Sequence, residues 1–158
     1  MEDNVLIKIK TYLDTEGSGD EPVELETRGK FGKINGKYYI KYKESKLTGF
    51  EDTTTTIKIW DTSASVTRKG KYNMKLEYEQ GKQNLFLYPT PYGEFGGAIK
   101  TYSVDYKFAG KSGWLKVDYT FDSDMSECQK NSLNVKIQPL ASKSAANDKE
   151  RVDTDEYI

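Results

Sequence analysis

Two opposite charges sit where a strand pattern asks for apolar side chains. Along Tyr38–Glu44 one parity carries Tyr38, Ile40, Tyr42 and Glu44, and along Ala64–Gly70 one parity carries Ala64, Val66 and Arg68. An unpaired buried charge costs several kcal/mol, so an inward acid and an inward base on nearby strands must meet or be solvated inside. Arginine's planar fork suits a carboxylate or phosphate, which makes Glu44 with Arg68 a candidate anchor for a polar ligand. The plainer reading is an ion pair that sets strand register and touches no ligand. Seven tyrosines, at 38, 42, 72, 78, 102, 106 and 119, take the inward parity as well. Buried hydroxyls need partners, so the interior is either wet and able to hold a small molecule or filled and cross-linked by hydrogen bonds. The candidate ligand-binding residues are Glu44, Arg68, Tyr42, Tyr102 and Tyr106.

Other chemistries fall away. The chain has no histidine, which removes serine–histidine and cysteine–histidine nucleophiles, histidine-ligated zinc and the usual acid–base group at neutral pH. Cys128 has no evident activating base. Gly93, Gly96, Gly97 and Lys100-Thr101 lack the GxxxxGK[ST] spacing, as does Gly110-Lys111-Ser112, so they read as turns and bends rather than a phosphate loop. No catalytic residue, metal site or cofactor is expected. On the outward parity Tyr39, Lys41 and Lys43 have the look of a single-strand-binding platform. The net charge of -1 favours a solvated face instead, and neither nucleic acid nor an anionic membrane is an expected partner.

The elements that must position these residues are strands. Hydrophobic content is 35 %, but 13 % is aromatic and 12 residues are tyrosine, a composition suited to half-buried pleated surfaces. Val5, Ile7 and Ile9 alternate with lysines; Val23, Leu25, Thr27, Gly29 and Phe31 alternate with charges, and Gly29 and Gly32 are expected bends. Asn35-Gly36 is a type I′ hairpin signal, and Thr53–Thr56 is β-branched throughout. Met74, Leu76 and Tyr78 mark another inner face, then an apolar run Asn84–Tyr88 closes on Pro89 and Pro91. Ala98, Tyr102, Val104, Tyr106 and Phe108 alternate with Ile99, Thr101, Ser103, Asp105 and Lys107; Leu115, Val117, Tyr119 and Phe121 follow, then a polar loop over Asp122–Asn131 and a last strand with Leu133, Val135 and Ile137. Residues 1–140 thus form an all-β domain of about ten strands, and residues 141–158 a polar tail, loose or with a short helix around Ala145–Val152. A sheet of this length exposes two edges unless it curls, which favours a single antiparallel up-and-down β-barrel over a sandwich.

The lone cysteine permits no intrachain disulfide, and MEDNVLIKIK lacks the basic region and apolar core of a secretory signal, so a cytoplasmic protein is expected. The order GKYYIKYKES, TTTTIKI, VTRKG, LYPTPYGEFG, TYSVDYKF, GWLKVDYTF and SLNVKI resembles the YwiB-like family of bacterial proteins of unknown function. The resemblance spans residues 4 to 138 and implies a calycin or lipocalin-like barrel but no activity. The family's Tyr-x-Glu and Arg-x-Gly positions would correspond to Tyr42 with Glu44 and Arg68 with Gly70. The expected function is a non-catalytic barrel holding a small polar or amphipathic molecule. The alternative is a protein-interaction or assembly module with a filled core, whose partner is a second copy or another protein.

Overall fold

The computed structural model describes residues 3–14, 23–45, 51–71, 73–90, 93–123 and 126–140. Among these there are ten strands and no helix: β1 (Val5–Asp14), β2 (Val23–Ile34), β3 (Lys37–Lys43), β4 (Thr53–Trp60), β5 (Ser63–Gly70), β6 (Met74–Glu79), β7 (Gln83–Thr90), β8 (Gly93–Ala109), β9 (Ser112–Ser123) and β10 (Ser126–Pro139). They form one sheet in the order β6-β5-β4-β3-β2-β1-β10-β9-β8-β7. Consecutive strands pair with one another except β6 and β7, and β1 pairs with β10 over Val5–Asp14. This is the expected up-and-down topology, but its seam lies in the middle of the chain, between the consecutive strands β6 and β7.

That seam is drawn together at one point. In the turn that joins the two edge strands, Gly81 N donates to Thr101 O (2.8 Å), Lys82 O accepts from Thr101 N (3.1 Å), and the Gln80 Oε1 accepts from Val104 N (3.0 Å). Away from this turn the edges part, leaving a nearly closed barrel.

The curl depends on local chemistry. Asn35 and Gly36 take φ of 51° and 80°, the left-handed pair that matches a hairpin to strand twist. At Gly29 the strand β2 stops pairing with β1 and starts pairing with β3. A Cβ there would stand 2.4 Å from both Ile7 Cδ1 and the Lys41 carbonyl, so only glycine lets the chain pass between them. Asn4 secures the corner: its N donates to Gly29 O (2.9 Å), its Nδ2 donates to Phe31 O (3.1 Å) and its Oδ1 accepts from Phe31 N (2.9 Å). Period-two alternation then buries one face. Ile7, Ile40, Ile57, Ile99, Leu115 and Ile137 are almost wholly inside, each worth about 1.5–3 kcal/mol relative to exposure.

Two expectations change. Tyr102 does not face inward; it is 54 % exposed, while Ile99 and Thr101 are buried at 1 % each. The register against β9 slips between Thr101 and Ser103, so Tyr102 is the extra residue of a β-bulge and the parity of β8 inverts there. The polar stretch Ser126–Asn131 is strand rather than loop, because backbone pairing with β1 and β9 (Leu13 with Asn131, Asp14 with Lys130, Tyr119 with Asn131) asks nothing of side-chain polarity. Tyr72, the Thr15–Glu21 turn and the tail 141–158 lie outside the described residues.

Candidate functional site

Register brings the two inward charges together. Tyr42 stands opposite Thr55, and Thr55 opposite Arg68, across β3, β4 and β5. Glu44 lies two residues beyond Tyr42 on the same face, and its backbone N donates to Thr53 O (2.8 Å), which extends the β3–β4 ladder. Its side chain is 2 % exposed. The Thr55 hydroxyl donates to Glu44 Oε2, and Arg68 Nε donates to the same oxygen at 3.4 Å. The threonine run therefore does more than favour a strand: its inward members bring a hydroxyl to a buried carboxylate, which needs acceptor sites filled.

Phenols line the rest of this end of the barrel. Burial pushes the Tyr42 hydroxyl well above the ordinary phenol range, with the Glu44 charge adding to the rise and the Arg68 charge opposing it. Tyr78 is raised by burial and then by Tyr119, whose ring it meets edge-on at 5.0 Å. Tyr119 is raised by burial as well, while a hydrogen bond with Asn131 acts in the other direction. These three phenols are held neutral beside one acid and one base.

Arg68 also forms part of the wall of a cleft of about 1100 Å³ at the open part of the seam. Met74 of β6 and Phe86 of β7 give it an apolar floor, with Gly97 and Ala98 of β8 beside them, and Lys69 and Lys75 stand at its rim. Leu85 and Leu87 line it too and are 79 % and 61 % exposed. Of the residues expected from sequence, Glu44, Arg68 and Tyr42 form one cluster, and Arg68 carries it to the cleft. Tyr106 lies at the opposite mouth, where its hydroxyl donates to Asp61 O at 2.9 Å, and Tyr102 is outside the barrel. Met74, Phe86, Leu85 and Leu87 were not expected at the site. For Leu85, Phe86 and Leu87 the signal was present in Asn84–Tyr88, a strand apolar on both parities, which a strand with one solvated face would not be. No group of three or more His, Cys, Asp or Glu side chains suited to a metal ion occurs among the described residues.

The sequence matches the model of a family described as Domain of unknown function (DUF1934) over residues 7–135. Among solved structures the chain is similar to the crystal structure of the ywiB protein from Bacillus subtilis, with a TM-score of 0.76 and 17% identity, covering 87% of this chain and 92% of that one. At such identity the likeness is one of fold. No curated protein matches the sequence.

Proposed function

The chain belongs to the YwiB-like DUF1934 family, and from that premise we propose a non-catalytic, cytoplasmic binding protein that holds a small amphipathic anion at the seam of its barrel, in the manner of lipocalin-like carriers. The observation that carries this reading is the cleft of about 1100 Å³ with Arg68 in its wall, of the size that small-molecule sites occupy. An apolar body would lie against Met74 and Phe86, with Leu85 and Leu87 covering it. An acidic head would lie toward Arg68, where the three cations Arg68, Lys69 and Lys75 outnumber the two acids of the lining, Glu94 and Asp122. Glu44 is a positioning residue in this scheme, since its carboxylate holds the Arg68 guanidinium at the cleft. The absence of histidine, which removes the usual nucleophile–base pairs, is why binding is preferred to catalysis.

A second reading rests on the same two leucines. Apolar side chains this exposed on an edge strand also suit a protein partner. Titration with an environment-sensitive aryl sulfonate, followed by displacement with alkyl carboxylates of increasing length, tests the first reading. The probe is expected to brighten and to be displaced more tightly as the chain lengthens. Leu85→Glu with Leu87→Glu, both at exposed positions, is expected to weaken it about ten-fold or more with no change in melting. A protein that takes up neither probe nor carboxylate, and whose dimers in native mass spectrometry vanish in the double variant, supports the interaction reading instead.

A further inference from the structure

The net charge of the chain conceals a segregation on the barrel's outer surface. Lys30–Lys43, Thr53–Trp60 and Ser63–Gly70 contain no acidic residue, whereas acids such as Glu77, Glu79, Asp105, Asp118 and Asp122 stand on β6, β8 and β9. The second half of β2 together with β3, β4 and β5 therefore presents one continuous face of lysines and hydroxyls. Toward the hairpin end of this face two aromatic rings, Tyr39 and Trp60, remain partly exposed. Lys58 lies directly across from Tyr39 in the ladder. Its ammonium stands 6.0 Å from the Tyr39 ring centroid and 5.2 Å from that of Trp60, and the Lys37 ammonium stands 5.8 Å from Trp60. On the other side of Tyr39 the ladder partner is Gly32, where an added Cβ would meet nothing within 4 Å, so the tyrosine borders an open step in the sheet.

From this arrangement we infer that the outer face of β2–β5 binds single-stranded nucleic acid, with bases stacked on Tyr39 and Trp60 and phosphates met by Lys37, Lys41, Lys43 and Lys58. The site is separate from the cleft. Tyr39 and Trp60 are diagonal neighbours, a relation that sets residues about 7–8 Å apart. That is roughly twice the 3.4 Å step of a stacked strand, so the bases they hold must be splayed, as in single strands and not in a duplex. An anionic membrane fits less well, because among the described residues of this face Ile34 is the single large exposed aliphatic side chain, too little apolar surface to enter a bilayer. Convergent lysines beside partly exposed rings supply both halves of sequence-tolerant recognition, charge and stacking.

Fluorescence anisotropy with a labelled mixed-sequence single strand, the same sequence as a duplex, and vesicles containing phosphatidylglycerol provides the test. The single strand is expected to bind at low salt and to be released as salt rises. Lys41→Gln with Lys43→Gln, both exposed, should make the dependence of log K on log salt shallower by about 1.4, or 0.7 for each lysine. Tyr39→Leu with Trp60→Leu keeps apolar bulk while removing the ring faces; it should weaken binding about ten-fold and leave that slope unchanged. No binding of the single strand at low salt would overturn the inference, as would duplex or vesicles bound equally tightly, or ring substitutions without effect in a protein that still melts normally.

Discussion

At the mouth where β2 turns into β3, β4 into β5 and β8 into β9, the interior is closed by rings. Phe108 packs 4.8 Å from Tyr38 and 5.1 Å from Phe31, and Tyr38 meets Tyr106 at 6.0 Å. At the other mouth the interior holds Glu44, Arg68, Thr55 and the buried phenols of Tyr42, Tyr78 and Tyr119, and it opens into the cleft. Both ends are built from inward-facing residues of the same alternating strands, yet their energetics differ in kind. Rings at the first end stabilise by area and contact, and each can be trimmed at a graded cost. Polar groups at the second end stabilise only as a set, because each one's desolvation is offset by its neighbour. The filled end supports the fold, and the polar end, costly to keep inside, is where a function is to be sought.

Removing one member of the polar set should have the largest effect. Arg68→Leu leaves the Glu44 carboxylate buried without its cation and is expected to cost about 3–5 kcal/mol by denaturant unfolding. Adding Glu44→Gln should restore most of that loss; a single variant as stable as the parent would show the two ends to be alike. Next in size, Phe108→Ala should cost about 2–3 kcal/mol, below the 3–5 kcal/mol of a fully buried ring because Phe108 is only partly enclosed. It should leave uptake of the aryl sulfonate at the far cleft unchanged.

Alkaline pH separates the ends by protonation. For Tyr42, Tyr78 and Tyr119 the folded state raises the phenol above its ordinary value of 10.0, so the neutral form is favoured by folding. Their contribution is therefore fully present below pH 10.0 and is lost as pH climbs from there toward the raised folded values. Unfolding free energy measured across this window should fall with pH, and Tyr78→Phe should flatten the fall. A slope unaltered by Tyr78→Phe would place the ionising groups elsewhere. Tyr106, also raised by burial and then by the Asp61 charge, is only half-buried and contributes less to that slope. The smallest expected effect belongs to it: Tyr106→Phe removes one exposed hydrogen bond to Asp61 O and should shift stability by about 0.5 kcal/mol.

Much of this contrast is legible in the residues. Glu44 and Arg68 stand out because period-two alternation assigns every strand residue a face, and a charge on the wrong parity is visible without coordinates. The hairpin at Asn35-Gly36 and the bends around Gly29 follow from what those backbones tolerate. Tyr102 was misplaced for an equally physical reason: one extra residue inverts all parity on one side of it, and nothing in Thr101-Tyr102-Ser103 announces where a bulge falls. Its cause lies elsewhere in the chain, in the turn Gln80–Lys82 that takes up the backbone of Thr101 and Val104. The cleft was illegible for a related reason, since Met74 and Phe86 read as ordinary core residues until the strands that carry them part.

Alternation by itself determined that about ten strands would enclose a lined interior and turned Glu44, Arg68, Tyr42, Tyr78 and Tyr119 toward it, because the direction of a side chain along an extended backbone is set by local sterics. Where the sheet would remain unzipped was decided only by the tertiary structure. β1 reaches β10 across the whole chain while β6 and β7, joined by a short turn, stay apart; that choice rests on hydrogen bonds from the turn to a distant strand, and no local pattern encodes them.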